Sequence, residues 1–151
     1  MNNVPQRIDT DLKEALKARD ELKLSVVRMI KASLKNKSIE KMAPLTDDEV
    51  ISVLSTMSKQ RRESIEQFAN AGRSDLVEKE KKELEIIQSY MPAQLSAEDI
   101  DEIIRAAIAE TGASQPGDMG KVMKIVAPKT KGLADGKAVN RRVGELLSSG
   151  S

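Results

Sequence analysis

Apolar residues recur at three- and four-residue intervals along nearly the whole chain, and no segment alternates with period two. That pattern predicts helices throughout and no sheet. Ile8, Leu12, Ala15 and Leu16 form the stripe of a first helix, and Leu22, Val26, Val27, Ile30 and Leu34 that of a second. Asp20 stands where an N-cap is wanted, so the break falls near Ala18-Arg19. Ser38 to Leu45, with Pro44 inside it, reads as a loop. Thr46-Asp47-Asp48-Glu49 matches a capping box, and its early acids suit the helix dipole. The third helix then runs from Thr46 to about Ala71 on Val50, Val53, Leu54, Met57, Ile65 and Phe68, with Arg61 interrupting the stripe. Gly72 suits a left-handed C′ position, and Ser74 is the candidate cap of a fourth helix. That helix carries Val77, Leu84, Ile87 and Met91, is interrupted by Glu80, and ends at Pro92. So short a connection forces an antiparallel hairpin.

Beyond Pro92 the predicted elements shorten. Ser96-Ala97-Glu98-Asp99 opens a fifth helix through Ile100, Ile103, Ile104, Ala107 and Ile108, closed near Gly112. A sixth covers about Asp118 to Ala127, stopped by Pro128. A seventh follows Asp135-Gly136 through Val139, Val143, Leu146 and Leu147, and the tail Ser148-Ser149-Gly150-Ser151 should fray. The expected fold class is all-α: a long-helix N-terminal hairpin domain over residues 1–92, then a small three-helix C-terminal bundle over residues 93–151.

Composition narrows the chemistry. The 151 residues include no Cys and no His, which removes thiol nucleophiles, Ser-His-Asp triads, His bases and the common zinc sites. Phe68 and Tyr90 are the aromatic residues, too few for base-stacking platforms. No apolar run approaches the ~20 residues of a membrane span, and the start of the chain has no apolar signal region. A soluble, cytoplasmic protein without membrane association is expected. The carboxylates Glu98, Asp99, Asp101 and Glu102 read as a helix-start cluster rather than an acid/base pair or metal site. Gly120-Lys121 lacks the rest of a P-loop, and Gly117-Asp118-Met119-Gly120 lacks the sheet that a KH clamp requires. No nucleophile, base and oxyanion donor assemble, so no enzyme activity, cofactor or metal is expected.

A net charge of +1 conceals segregation. Residues 93–111 hold five acids against Arg105, whereas residues 112–142 hold seven bases against Asp118 and Asp135. Those bases, Lys121, Lys124, Lys129, Lys131, Lys137, Arg141 and Arg142, are the candidate nucleic-acid-binding residues. Several flank Gly-containing turns, where backbone N–H groups approach phosphate. On charge alone, a solvated face is the simpler reading. A second basic row, Arg28, Lys31, Lys35, Lys37 and Lys41, has stems that can cover core edges. Arg61 and Arg62 fall opposite Glu80 and Glu83 across the predicted hairpin and are expected to pair structurally.

Leu24-Ser25-Val26-Val27-Arg28-Met29, Lys59-Gln60-Arg61-Arg62-Glu63-Ser64 and Ala71-Gly72-Arg73-Ser74-Asp75-Leu76 resemble the YqeY family. So do Tyr90-Met91-Pro92-Ala93-Gln94-Leu95, Asp118-Met119-Gly120-Lys121-Val122-Met123 and Lys131-Gly132-Leu133-Ala134-Asp135-Gly136. That family is similar to the helical and tail region of the B subunit of tRNA-dependent amidotransferase, and a related module is appended to some glutaminyl-tRNA synthetases. The resemblance implies a non-catalytic module that binds tRNA or another structured RNA, alone or beside an enzyme of aminoacyl-tRNA metabolism. It favours a phosphate-binding face over residues 112–142. Gly120, Gly132 and Gly136 are expected to be backbone necessities. The competing reading is an adaptor that docks a protein partner through its helical hairpin.

Overall fold

The computed structural model describes residues 4–149. Among them are seven α-helices and no strand: α1 (Val4–Ala18), α2 (Glu21–Lys41), α3 (Asp47–Asn70), α4 (Ser74–Gln88), α5 (Ala97–Thr111), α6 (Met119–Thr130) and α7 (Gly136–Ser148). A 3₁₀ turn, Pro116–Asp118, leads into α6. The chain divides into two compact units, Met1–Met91 and Pro92–Ser151.

In the first unit the local signals act where the sequence puts them. Asp20 caps α2 by accepting from Lys23 N at 3.1 Å, and Arg19 turns the chain with φ 54°. Thr46 and Glu49 form the reciprocal capping box of α3. Gly72 takes φ 72°, free of the Cβ penalty that any other residue would carry there. Across that turn α3 packs along α4. Val26, Val27, Ile30, Leu54 and Ile87 are completely buried, each contributing roughly 1.5–3 kcal/mol of burial. Tyr90 closes the base of the unit: its hydroxyl donates to Asp11 and Arg7 lies 4.9 Å above its ring. Burial, then the Asp11 carboxylate, pushes the phenol above its usual range.

Four expectations are corrected here. Leu16 is half exposed rather than part of the first stripe. The Ser38–Leu45 loop begins later, because α2 continues to Lys41. Ser38 Oγ donates back to Lys35 O at 2.8 Å within the helix, and the turn is made by Met42 at φ 62°. Ser74 is the first helical residue of α4 rather than its cap; Arg73 holds the cap position without a side-chain capping bond, its guanidinium donating instead to Asp75. Finally, α4 stops at Gln88, before Pro92, as Ser89 N and Tyr90 N turn back to Ile86 O and Ile87 O.

The second unit has its own core: Ile104 and Ala107 of α5, Val122 and Val126 of α6, and Val139, Val143, Leu146 and Leu147 of α7. Ser96 and Asp99 form a second capping box, and Gly112 ends α5 with φ 69°. The sixth helix does not stop at Pro128 but runs to Thr130. Pro removes one backbone donor, yet burial of Val126 and Thr130 holds the last turn on the core. Thr130 Oγ1 also donates to Val126 O at 3.0 Å and Lys131 N to Ala127 O at 3.0 Å. Leu95 N donates to Leu133 O at 2.8 Å and Gln94 Nε2 to Gly132 O at 3.1 Å, pinning the entry to α5 against the α6–α7 turn. The frayed-tail expectation is corrected at its first two residues: Ser148 is the last residue of α7, and Ser149 caps it, donating from N to Glu145 O at 3.1 Å and from Oγ to Leu146 O at 3.0 Å; Gly150 and Ser151 lie outside the described residues.

Candidate nucleic-acid interface

The seven candidate cations are distributed over two helices and the turn between them. Lys121 and Lys124 share one face of α6, Lys129 lies in its last turn, and Lys131 follows directly. Lys137 and Arg141 are one turn apart on the outer face of α7, and all six of these side chains belong to exposed residues. Lys121 Nζ stands 3.8 Å from Asp118 yet is 71% exposed. None of Lys124, Lys129, Lys131, Lys137 and Arg141 is ion-paired with a carboxylate among the described residues.

Arg142 is different. Its Nε and Nη2 donate to Asp101 Oδ1 and Oδ2 at 2.7 and 2.9 Å, and Nη1 donates to Glu145 Oε2 at 3.0 Å. This fork fixes α7 to α5 and holds the Asp101 carboxyl below its usual range. A phosphate would have to displace both oxygens. Arg142 and Asp101 lie 41 positions apart, so nothing in the sequence pattern connected them.

Of the two acids of the basic stretch, Asp135 caps α7 by accepting from Lys137 N at 3.2 Å, whereas Asp118, at the N-cap position of α6 without a side-chain capping bond, accepts from Ser114 N of the preceding loop at 3.1 Å. The glycine expectation needs correction. Gly132 takes φ 76° and requires glycine, but Gly120 and Gly136 lie in the first turns of α6 and α7 without positive φ. A Cβ at either would meet nothing within 4 Å, so neither is a backbone necessity.

In the first unit, the basic residues are more heavily engaged. Arg61 Nε lies 2.9 Å from Glu83 and 3.4 Å from Glu80, with each of the three side chains at most 18% exposed. Lys31 pairs with Asp9 at 2.9 Å, Lys37 with Glu40 at 3.7 Å, and Lys41 with Glu49. Among the described residues no group of carboxylates is arranged to hold a metal ion, and no helix is long and apolar enough to cross a membrane.

Fold and surface thus define an all-helical protein of two units, with a concentration of exposed, unpaired cations in the second. The chain belongs to the YqeY family: the family described as "Yqey-like protein" matches residues 5–147. Its relatives include the fungal proteins named "Altered inheritance of mitochondria protein 41, mitochondrial". The one from Pyrenophora tritici-repentis is 33% identical over 155 aligned positions, covering 98% of this chain and 83% of the relative. That from Eremothecium gossypii is 43% identical over 84 residues, 55% of this chain and 46% of the relative. That from Saccharomyces cerevisiae is 37% identical over 98 residues, 63% of this chain and 53% of the relative. The last two relatives are matched over only about half their length. These names correct the cytoplasmic expectation, since the relatives are mitochondrial proteins. The missing apolar start bore on secretion alone, whereas mitochondrial targeting segments are amphipathic and Arg-rich.

Proposed function

We propose that this protein is a non-catalytic module for structured RNA, of the tRNA class, and that residues 112–142 supply its phosphate contacts. The observation that carries this reading is the set of exposed cations Lys124, Lys129, Lys131, Lys137 and Arg141, which no carboxylate neutralises among the described residues, joined by Lys121, 71% exposed though 3.8 Å from Asp118. Their opposite number, Arg142, belongs to the scaffold rather than to the contact set. Gly120 leaves backbone bare beside Lys121, giving room for phosphate to approach main-chain N–H groups. The architecture that serves this role is an antiparallel α3–α4 hairpin in the first domain and a three-helix α5–α7 bundle in the second. None of the names carried by the relatives above states a catalytic activity.

The test is a salt titration of folded tRNA binding. If Lys121, Lys124, Lys131 and Arg141 neutralise about four phosphates, log affinity falls about 3.6 units per decade of salt, roughly a hundredfold between 50 and 200 mM. Unstructured RNA of equal length should bind more weakly, because stacking is not available to compensate for lost shape. Reversing Lys121, Lys131 and Arg141 to Glu should abolish binding with helicity intact. Arg142→Gln should lower the melting temperature and change RNA affinity less than about twofold. Absence of RNA binding at 50 mM salt overturns the reading.

A further inference from the structure

The outer face of α7 carries more than charge. Helical spacing places Lys137, Arg141, Gly144 and Ser148 in one row over ~17 Å of helix, with Asn140 on its flank. The row lies opposite Val139, Val143, Leu146 and Leu147, which face the core of the second unit. Lys137, Asn140, Arg141 and Ser148 are exposed. Among the described residues neither cation has a carboxylate partner, and the side chains of Asn140 and Ser148 have no hydrogen-bond partner. Glu145, the acid beside the row, is held by Arg142 at 3.0 Å.

Gly144 stands inside this row without a reason internal to the fold. Glycine within a helix weakens it relative to alanine, and is justified by a positive φ or by the close approach of another segment. Gly144 has neither: its φ is not positive, and a Cβ there would meet nothing within 4 Å. The helix backbone is therefore left bare on the face that carries the two free cations.

Three features select what this face receives. Its cations suit phosphate. The second unit, residues 92–151, contains no aromatic residue, so splayed single-stranded bases find no stacking platform on it. Asn140 and Ser148 add uncharged donors and acceptors, which suit a sugar hydroxyl. An A-form RNA helix offers these chemistries together, because its minor groove is wide and shallow, displays 2′-hydroxyls and is bordered by phosphates. We propose that the outer face of α7 lies on the minor groove of an RNA double helix, with Lys137 and Arg141 on phosphates, Asn140 and Ser148 on 2′-hydroxyls, and Gly144 at the closest approach. This deepens the RNA reading above, on which it rests, by naming the part of the RNA that is bound.

Fluorescein-labelled probes of one sequence test it on the full chain: an RNA duplex, its 2′-O-methyl form, the DNA duplex and one RNA strand alone, beside folded tRNA and polyglutamate. The RNA duplex should bind at least about tenfold more tightly than its 2′-O-methyl or DNA counterpart or the single strand. Gly144→Leu should weaken it about tenfold with helicity intact, and Gly144→Gln serves in its place should the melting curve show a folding defect. Lys137→Gln with Arg141→Gln should reduce the salt slope by about 2. Asn140→Ala should narrow the gap between the RNA duplex and its 2′-O-methyl form. Binding of tRNA without binding of the RNA duplex overturns this inference and leaves the RNA reading standing, whereas binding of neither overturns both. Equal binding of the RNA and DNA duplexes, or RNA binding unchanged at Gly144→Leu, also overturns it. So does tighter binding of polyglutamate than of the RNA duplex, which would give the face to an acidic protein.

Discussion

Arg61 shares its charge between two carboxylates on the facing helix, and those carboxylates are not equivalent. Glu83 is nearer, at 2.9 Å, whereas Glu80 lies at 3.4 Å with Oε2 buried and without a hydrogen bond. Burial, then the neighbouring Glu83 charge, raises the Glu80 carboxyl above its usual range despite Arg61. A raised acid favours folding below its unfolded value and loses that contribution as pH rises through the folded value. Glu80→Gln is therefore expected to leave stability unchanged or raise it by up to about 1 kcal/mol at neutral pH, and to flatten the stability profile just above the ordinary glutamate range. Arg61→Leu is expected to cost roughly 3–5 kcal/mol, because it strands two carboxylates in a confined site. Urea unfolding of both variants across pH checks the pair. This cluster was legible in the sequence, since two breaks in facing apolar stripes carried opposite charges. The Arg142 fork was not: each partner looks like an ordinary surface charge until the chain folds.

At the scale of a single helix, the legible features are those whose physics is local. Thr46 and Ser96 signal helix starts through bonds made within four residues, and Gly72 and Gly112 signal stops through one dihedral angle. Pro128 misled because its local penalty is outweighed by burial of Val126 and Thr130, residues whose environment only the tertiary fold supplies. Ser38 misled for a different reason: its Oγ donates back to Lys35 O within the helix, at 2.8 Å, and α2 runs on to Lys41. Thr46→Ala should cost about 1 kcal/mol, read as a fall of about 4–8 °C in the melting temperature of the first unit. The same cap carries a pH signature. Hydrogen bonds from Lys41 and from the Thr46 backbone hold Glu49 down to about 2 from an ordinary 4.5. A depressed acid contributes stability above its unfolded value and loses it as pH falls through the folded one, here between 4.5 and about 2. Lys41→Met should reduce that acid sensitivity, seen by following α2 and α3 amide exchange over the same window.

Across the whole molecule, the two hydrophobic cores have no residue in common. Ile87 anchors one and Ile104 the other, each completely buried. Ile104→Ala is expected to cost roughly 2–5 kcal/mol and to accelerate amide exchange in α5, α6 and α7, with α3 and α4 unchanged; Ile87→Ala should do the reverse. Equal acceleration in both units for either variant would contradict this. The existence of both cores was readable from the apolar stripes. Separate cores also bear on descent. A substitution that loosens Leu54 can be offset only by its own neighbours, so repair in one half places no demand on the other. The two halves of such a chain are free to keep different evolutionary clocks.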